Sequence, residues 1–557
     1  MDNTTFRTDI GKAVFNQKYS HEGTMDWPTL AWTLVTEVCG YSAKDKRTLL
    51  SQDDQYELFT CIRDMKFIPG GRYLYYAGRP LSAYNNCYLL RGEEDTREEW
   101  GALLKRSSDC LMSGGGIGID YSVFRGEGEP LARTGGKASG PIPLMHSINE
   151  MGRNVMQGGS RRSAIYASLD WNHTDAPSFL DMKNWHNMPV GKHTKFDGSP
   201  YSLWDAKQDD MDFPCPLDMT NVSLNYNDAW LNHEDRHLHP TFLYNCSQAM
   251  RTGEPGFSFN FGKKQRETLR NACCEVVSED DSDVCNLGSI NLSRISTIQE
   301  MQRVTQLASM FLVCGTLRAD LPYQKVYDVR AKNRRLGVGL MGIHEWLLCR
   351  GYKYQMNDEL LAWMEVYKSY TESAANQLCD ELGISRPVAY RAIAPTGTIG
   401  MIAGTTTGIE PLFAVAYKRR YLNGKKWQYQ YTVDGTADLL INKYGLDPNS
   451  IDTAYGMADN FEARISFQAA VQDYVDMAIS STINLPSWGS QHNNEDKVAE
   501  FAKLLSEYAP RLRGFTVYPD GSRGGQPLAM VDYADAVAHK GVVYEENDSC
   551  AGGVCGL

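Results

Sequence analysis

Residues 271–292 read NACCEVVSEDDSDVCNLGSINL and bring several reactive side chains into one short stretch. Asn271, Cys273 and Glu275 occupy alternate positions, which on extended backbone point to the same side. One face would then present an amide, a thiol and a carboxylate, groups that suit a reaction in which a hydrogen or a proton is moved. Cys274 would point away and pack against its surroundings. Because a Cys-Cys-Glu string also has an ordinary structural explanation, the rest of the chain has to decide.

A second pair of thiols lies near the C-terminus. Cys550 and Cys555, separated by AGGV, fall within the last eight residues on a glycine-rich segment. Chain ends are usually exposed, so burial does not explain cysteines there. Exposed thiols on a flexible segment suit exchange through mixed disulfides, which would deliver electrons to another site. Half of a zinc site, or no function at all, are the alternatives.

The segment PTGTIG at residues 395–400 could bind phosphate. Small residues and two hydroxyls stand where a strand could enter a helix, a geometry that points backbone N–H groups at an anion. An ordinary loop with helix-capping threonines is the alternative. The sequence contains no GxxxxGK[ST] motif and no clear GxGxxG motif that opens a βαβ unit, so it supports neither an ATPase nor an NAD enzyme.

Composition and charge limit the class of protein. The 557 residues are 42% apolar and 22% charged, as in ordinary globular proteins, and the formal net charge is −12. An acidic chain argues against a broad surface for DNA or RNA. The N-terminus lacks the order of a signal peptide, and the longest apolar run, at 307–317, is too short to cross a bilayer. We therefore expect a cytoplasmic protein, in the host cytoplasm if the chain is viral.

Fourteen cysteines in a reducing compartment are expected to be mostly reduced and buried. Seven are expected to be packing residues: Cys39, Cys61, Cys110, Cys246, Cys314, Cys349 and Cys379.

The order of sequence patterns predicts a mixed α/β protein in three parts. Helical periodicity over 12–66 predicts a helical N-terminal region, 1–68, that ends near Pro69. Apolar segments then alternate with Gly-rich turns and amphipathic stretches through residue 524, which predicts a mainly parallel sheet or barrel. From about Gly524 the periodicity is lost, so residues 525–557 are expected to be a mobile tail.

Several motifs in order resemble the catalytic subunit of ribonucleotide reductases, particularly the adenosylcobalamin-dependent class II enzymes. The likeness runs from about residue 15 to the C-terminus. The matching segments are FIPGGRYLYYAGRP and NNCYLL within 67–90, GGSRRSA at 158–164, NACCE at 271–275, CNLGSINL at 285–292, KNRRLGVGLMG at 332–342, PTGTIG at 395–400 and GIEPLF at 408–413.

The resemblance implies a ten-stranded α/β barrel of the ribonucleotide reductase and glycyl-radical enzyme type, with the Cys273 loop passing through its centre. The barrel would span residues 69–524. Cys273 would carry the transient thiyl radical that removes the ribose 3′-hydrogen, Glu275 would be the base at the 3′-hydroxyl, and Asn271 would bind the substrate.

The resemblance also assigns the remaining roles. Cys87 and Cys285 would supply the reducing equivalents and end as a disulfide. Cys550 and Cys555 would re-reduce that disulfide and then be reduced by a thioredoxin or glutaredoxin. The substrate phosphates of a ribonucleoside di- or triphosphate would lie against Pro395, Thr396, Gly397, Thr398 and Ile399.

The class assignment depends on the C-terminal region. A class I subunit has adjacent tyrosines there, whereas GFTVYPDGSRGGQPL at 514–528 has the lone Tyr518 and a TVY-x-DGSR pattern similar to class II. GGVCGL lacks the arginine and tyrosine of a glycyl-radical motif. The implied cofactor is adenosylcobalamin, and its candidate neighbourhood is Gly158, Gly159, Arg161 and Arg162.

Three features concern regulation and assembly. Cys274 stands where class II enzymes commonly have glycine or alanine. No ATP-cone motif is evident, so overall control by ATP and dATP is not expected. The polar stretch 185–216 is longer than expected for the loop that binds a deoxynucleotide effector and senses its base. The preferred assembly is a homodimer.

Three alternatives stay open. The first is a class I-type large subunit that depends on a separate radical-generating subunit. The second is a nucleotide-binding relative without catalysis, although the seven candidate site residues that carry thiol, amide and carboxylate groups argue against it. The third is a zinc protein with Cys273, Cys274 and Cys285 as ligands, but these cysteines lack the usual pair of CxxC knuckles, so no metal site is expected.

Overall fold

The computed structural model describes residues 5–21, 23, 25–157, 161–210, 212–423, 426–522 and 528–545. The helices are α1 (Asp9–Lys18), α2 (Trp27–Cys39), α3 (Gln52–Arg63), α4 (Gly71–Tyr76), α5 (Arg97–Met112), α6 (Ile142–Asn154), α7 (Ala176–Asp181), α8 (Leu203–Asp209), α9 (Asp228–Leu231), α10 (Pro240–Thr252), α11 (Ile298–Arg318), α12 (Gln324–Asn333), α13 (Ile343–Cys349), α14 (Asp358–Leu382), α15 (Gly397–Ala403), α16 (Gly435–Tyr444), α17 (Phe461–Gln472), α18 (Val498–Tyr508) and α19 (Tyr533–Ala538).

The strands are β1 (Tyr41–Ser42), β2 (Arg47–Thr48), β3 (Phe67–Pro69), β4 (Cys87–Arg91), β5 (Gly116–Asp120), β6 (Met156–Gln157), β7 (Arg161–Arg162), β8 (Ile165–Asp170), β9 (Pro189–Thr194), β10 (Pro200–Ser202), β11 (Thr220–Tyr226), β12 (Gly256–Phe259), β13 (Leu269–Arg270), β14 (Val277–Ser278), β15 (Asp283–Asn291), β16 (Leu336–Met341), β17 (Ala416–Asn423), β18 (Lys426–Val433), β19 (Thr482–Leu485), β20 (Gly514–Pro519), β21 (Leu528–Met530) and β22 (Val543–Glu545).

Three helices, α1, α2 and α3, occupy most of the segment expected to be helical. Each begins at a side-chain cap, because Thr8, Asp26 and Ser51 accept the N–H groups of residues in the first turn. Their apolar faces join α11 and α14 in one core on the outside of the main sheet.

The main sheet is mixed. In the described part of the chain its order is β16-β15-β4-β5-β8-β11-β12-β20-β19, and β3 also pairs with β15. The strands from β4 to β12 run parallel to one another, whereas β15 is antiparallel to β4 and β20 is antiparallel to β12. The expected α/β character is therefore present, with two antiparallel joints that the sequence patterns did not predict.

A further segment lies between the two edge strands of this sheet. Ala392 N–H donates to Val338 O of β16 at 3.2 Å, and Ile393 N–H donates to Ala478 O at 3.2 Å. Residues 389–393 are therefore hydrogen-bonded on one side to β16 and on the other to the residues just before β19.

The two faces of the sheet bury different residues. On β4, Tyr88 and Leu90 belong to an outer core with the helices, whereas Cys87 and Leu89 belong to a small inner core. The hairpin β13–β14 packs in that inner core. A Cβ added to Gly118 of β5 would lie 1.6 Å from Arg270 O, so only glycine lets the hairpin approach the sheet this closely.

The expectation of a mobile tail from 525 to 557 is wrong for residues 528–545. These residues form β21, α19 and β22, and the two strands flank the hairpin β17–β18 in a sheet of order β21-β17-β18-β22. Tyr544 stacks on Tyr429 of the hairpin at 5.0 Å between ring centroids. The segment is ordered because its backbone hydrogen bonds and aromatic rings find partners more than a hundred residues earlier in the sequence.

Six of the seven cysteines expected to be packing residues are buried, but Cys349 is exposed at the end of α13. Among the described residues, no helix has both the length and the apolar character needed to span a membrane.

Candidate active site

Residues 271–276 form a tight loop between two short strands, β13 and β14. Strands β13 and β14 pair antiparallel, and within the loop Cys274 N–H donates to Asn271 O at 2.9 Å. Cys274 has a φ of 69°, in the left-handed region where glycine is favoured. The expectation of extended backbone is therefore wrong, because the chain must reverse direction between its two strands.

The turn nevertheless brings the expected side chains to one place. Asn271, Cys273 and Glu275 line a single cavity of about 570 Å³, and Cys274 does not. The loop is fixed from several sides: Asn221 Nδ2 of β11 donates to Ala272 O, and Ala478 N–H donates to Glu275 O, both at 2.9 Å.

The cavity also collects other candidate residues. It is lined by Cys87 and by the whole predicted phosphate segment, Pro395, Thr396, Gly397, Thr398 and Ile399. One cavity thus holds a thiol, an amide, a carboxylate, a second thiol and a glycine-containing loop.

Cys285 lies directly behind Cys87. The two residues are register partners in the antiparallel pairing of β4 with β15, and both are buried. Opposing residues in such a pair have Cα atoms about 4.5–5.5 Å apart, within the range that a disulfide spans. Burial raises the pKa of both thiols well above the ordinary value, so each holds its proton.

Asn271 connects this thiol pair to the loop. Its Nδ2 donates to Cys87 Sγ at 2.9 Å, and its Oδ1 accepts the N–H of Val276 at 2.9 Å. The same amide therefore holds the two sides of the loop together and positions the thiol of Cys87.

Glu275 has the properties of a base that works near neutral pH. It is 1% exposed, and burial raises its pKa to about 7. Within the described part of the chain its Oε2 atom has no hydrogen-bond partner. A buried carboxyl with a free oxygen beside a cavity can accept a proton from a bound hydroxyl.

The predicted phosphate segment forms a turn before α15. Thr396 has a φ of 50°, and its Oγ1 accepts the N–H of Gly408 at 2.8 Å rather than an N–H of α15. The first N–H groups of the helix are thus not capped by this side chain. At Gly397 no atom lies within 4 Å of where a Cβ would stand, so the backbone is open there.

Sequence reasoning missed part of the cavity wall. The end of α1 contributes Gln17 and Lys18 with the next residue, Tyr19, and α4 contributes Arg72 and Tyr75. Arg72 and Tyr75 fall within the motif FIPGGRYLYYAGRP, which could have indicated them. The residues at the end of α1 carry no signal of this kind.

Other candidates fall outside what the structure describes. Gly158, Gly159, Cys550 and Cys555 are not among the described residues, and for Arg161 and Arg162 only the backbone, in β7, is described. Among the described residues, no group of three or more His, Cys, Asp or Glu side chains could hold a metal ion.

Comparison with known proteins finds a matching family model and similar proteins of one kind. The model of the ribonucleotide reductase barrel domain matches residues 85–204, 247–388 and 385–518. A protein of Mycobacterium tuberculosis named vitamin B12-dependent ribonucleoside-diphosphate reductase is 26% identical over 92% of this chain and 80% of its own length. A protein of the same name from Thermoplasma acidophilum is 25% identical over 83% of this chain and 65% of its own length.

Proposed function

This chain belongs to the ribonucleotide reductase barrel-domain family, and from that premise we propose that it reduces ribonucleoside di- or triphosphates to 2′-deoxyribonucleotides by thiyl-radical chemistry. The observation that carries the proposal is the shared cavity of Asn271, Cys273, Glu275 and Cys87, with Cys285 opposite Cys87. This set supplies a radical carrier, a base and a two-electron reductant.

The fold proposed with this function is a closed ten-stranded barrel. The hydrogen bonds of residues 389–393 to β16 and to Ala478 support closure, because they join the two edges of the main sheet. The hairpin β13–β14 on the inner face supports a loop that passes through the centre.

The proposed radical source is adenosylcobalamin, a form of vitamin B12, and two relatives are named vitamin B12-dependent. The cavity that contains the partly exposed Cys273 is lined in part by small residues, among them Gly116, Ala164 and Ala272. A Cβ on Gly116 would lie only 3.2 Å from Ala164 O and 3.4 Å from Ala272 Cβ. Larger side chains at this wall would therefore displace their neighbours or reduce the space beside the loop of Cys273. When bound, adenosylcobalamin supplies the radical that takes a hydrogen atom from a thiol.

Cys273 and Glu275 would then act on the ribose. The Cys273 thiyl removes the 3′-hydrogen atom, and the carboxylate of Glu275 accepts the proton of the 3′-hydroxyl. The radical requires a site from which water is kept away, and bound substrate and cofactor would fill the open side of the cavity. At the end of the reaction Cys273 returns its hydrogen atom to the 3′-carbon, and Glu275 returns the proton to the 3′-oxygen.

Cys87 and Cys285 would provide the reducing equivalents. Two thiols give up two protons and two electrons and form one disulfide bond, while the 2′-hydroxyl leaves as water and a hydrogen takes its place. Their raised pKa values support this role because the thiols carry the required protons at neutral pH.

The disulfide would be reduced again by Cys550 and Cys555, which would in turn be reduced by a thioredoxin or glutaredoxin. A deoxynucleotide effector and a homodimer belong to the same proposal. The stretch 185–216 supplies a candidate region for the effector, where β9 and β10 form a hairpin with the exposed Phe196 at its tip.

The test is deoxynucleotide formation from CDP and CTP by the purified chain with dithiothreitol and a panel of deoxynucleotide effectors, with and without adenosylcobalamin. Product only with the cofactor supports the proposal. Lack of product under all these conditions would contradict it and favour a chain that requires a separate radical-generating subunit.

A further inference from the structure

The first helix of the chain lies along the helix that follows the phosphate segment. Arg7 lies just before α1, and its Nη1 donates to Gly404 O at 3.2 Å. Four residues later, a Cβ on Gly11 would lie 2.7 Å from Met401 O and 2.9 Å from Ile402 O. Because a later residue of this segment, Gly11, contacts residues of α15 that come earlier than Gly404, the two helices are antiparallel. The last turn of α1 therefore points toward the start of α15, and Lys18 and Gly397 line the same cavity.

Contacts at both ends hold α1 in this place. Before the helix, Arg7 forms an ion pair with the buried Glu345, which also accepts the hydroxyl of Thr405 at 2.7 Å. After the helix, Tyr19 is buried, and its hydroxyl lies 2.9 Å from where a Cβ on Gly71 would stand. The position of the last turn is thus set by the fold, and Gly11 leaves no space for α1 to shift toward α15.

Lys18 is the cation that this arrangement brings to the phosphate segment. Among the described residues that line the cavity, the basic ones are Lys18 and Arg72, and the acidic one is Glu275. Arg72 is buried at 7% exposure, whereas Lys18 is exposed at the mouth. A lysine there places a positive charge beside a group that projects from the cavity.

We propose that Lys18 contacts the third phosphate of a ribonucleoside triphosphate and makes affinity depend on the number of phosphates. The inference rests on the proposed function, since it places a nucleotide in the cavity with its phosphates at Pro395–Ile399. A positive charge at the mouth attracts a triphosphate more strongly than a diphosphate because the added phosphate brings charge to that position.

The test is equilibrium binding of cytidine, CDP and CTP, measured by calorimetry without cofactor or reductant, to the wild-type chain and to Lys18→Gln, Lys18→Arg and Lys12→Gln. Lys12 is an exposed lysine on the same helix that does not line the cavity, which makes it the matched control. Lys18→Gln should weaken CTP binding about tenfold and CDP binding less, and should leave cytidine unchanged. Lys18→Arg should restore most of the loss, and Lys12→Gln should behave as wild type. In turnover, the Lys18→Gln change should appear in KM and not in kcat.

The outcomes distinguish failure of the inference about Lys18 from failure of the proposed function. Equal CTP affinities for wild type and Lys18→Gln would overturn the inference alone, as would a loss of the same size for CDP or for cytidine. Failure of the wild-type chain to bind CDP and CTP would overturn the proposed function, and the inference with it.

Discussion

Cys87 and Cys285 stand opposite each other across the antiparallel pairing of β4 with β15. Both side chains lie in the inner core of the sheet with the β13–β14 hairpin. Because the register fixes their separation, the pair can alternate between two thiols and one disulfide without a change of strand pairing. Asn271 donates a hydrogen bond to Cys87, so the position of the Cys87 thiol is connected to the loop that carries Cys273.

Replacing Cys273 with serine should abolish turnover and leave nucleotide binding within about twofold of wild type. The change removes the atom that carries the radical but very little volume. Turnover and equilibrium binding of CDP and CTP are the measurements, with Cys349→Ser as the control because Cys349 is exposed. Substantial turnover by Cys273→Ser would contradict its assigned role.

The left-handed backbone at Cys274 predicts which residues the loop tolerates. Cys274→Gly should fold and turn over because glycine adopts a φ of 69° without strain. Cys274→Val should have a free energy of unfolding about 1–2 kcal/mol lower than Cys274→Gly, with reduced turnover, because a β-branched residue is strained there. Cys274→Ala separates loss of the thiol from backbone strain. Chemical denaturation of the three variants gives the comparison, and equal stability of the Val and Gly variants would show that backbone strain is not the constraint.

Turnover should depend on the ionisation of Glu275. Since only the carboxylate accepts a proton, kcat/KM should rise with pH through about 7 in the wild-type chain. Glu275→Gln should remove this rise and lower the rate by about 10²–10⁴-fold. A wild-type profile that is flat between pH 5.5 and 8 would count against Glu275 as the base.

The raised pKa of Glu275 also makes the free energy of unfolding depend on pH. Burial raises the pKa of Glu275 above its ordinary value of 4.5, so the folded chain binds more protons than the unfolded chain between 4.5 and about 7. The stability contributed by the protonated carboxyl is present below pH 4.5 and is lost as pH rises through about 7. Denaturation of wild type and Glu275→Gln at both ends of this range should show a larger loss in wild type than in the variant, in which other carboxyls whose pKa is raised by burial, such as Asp170 and Asp434, still titrate.

Replacing both Cys550 and Cys555 with serine should block turnover driven by thioredoxin while allowing about one turnover from the reduced internal pair. Dithiothreitol provides the internal comparison, because a small reductant can reach the cavity without the tail. Normal thioredoxin-driven turnover by the double variant would rule out the relay.

Local sequence patterns predicted the α/β class and the groups that a thiol site needs, but not the contacts between distant segments. The alternate spacing of Asn271, Cys273 and Glu275 predicted a shared face on extended backbone, whereas a turn brings the three side chains to one cavity. A cysteine at position 274 does not predict a positive φ. The pairing of Cys87 with Cys285 depends on strand register, which arises from the whole sheet rather than from either segment.

Two other features were hidden for the same reason. Residues 528–545 lack periodicity, but they are ordered by the hairpin β17–β18, a partner distant in sequence. Lys18 belongs to an ordinary amphipathic helix, and only the packing of Gly11 against α15 brings it to the cavity. In each case tertiary contacts decide what the local sequence leaves open.

The most direct test of the account is a single-turnover experiment. The prereduced chain is mixed anaerobically with adenosylcobalamin and its preferred substrate, without external reductant, and deoxynucleotide and disulfides are quantified together. The account predicts about one deoxynucleotide per chain when Cys550 and Cys555 are replaced by serine, with an equal amount of a Cys87–Cys285 disulfide identified by mass spectrometry. Product without that disulfide, or that disulfide without product, would contradict it.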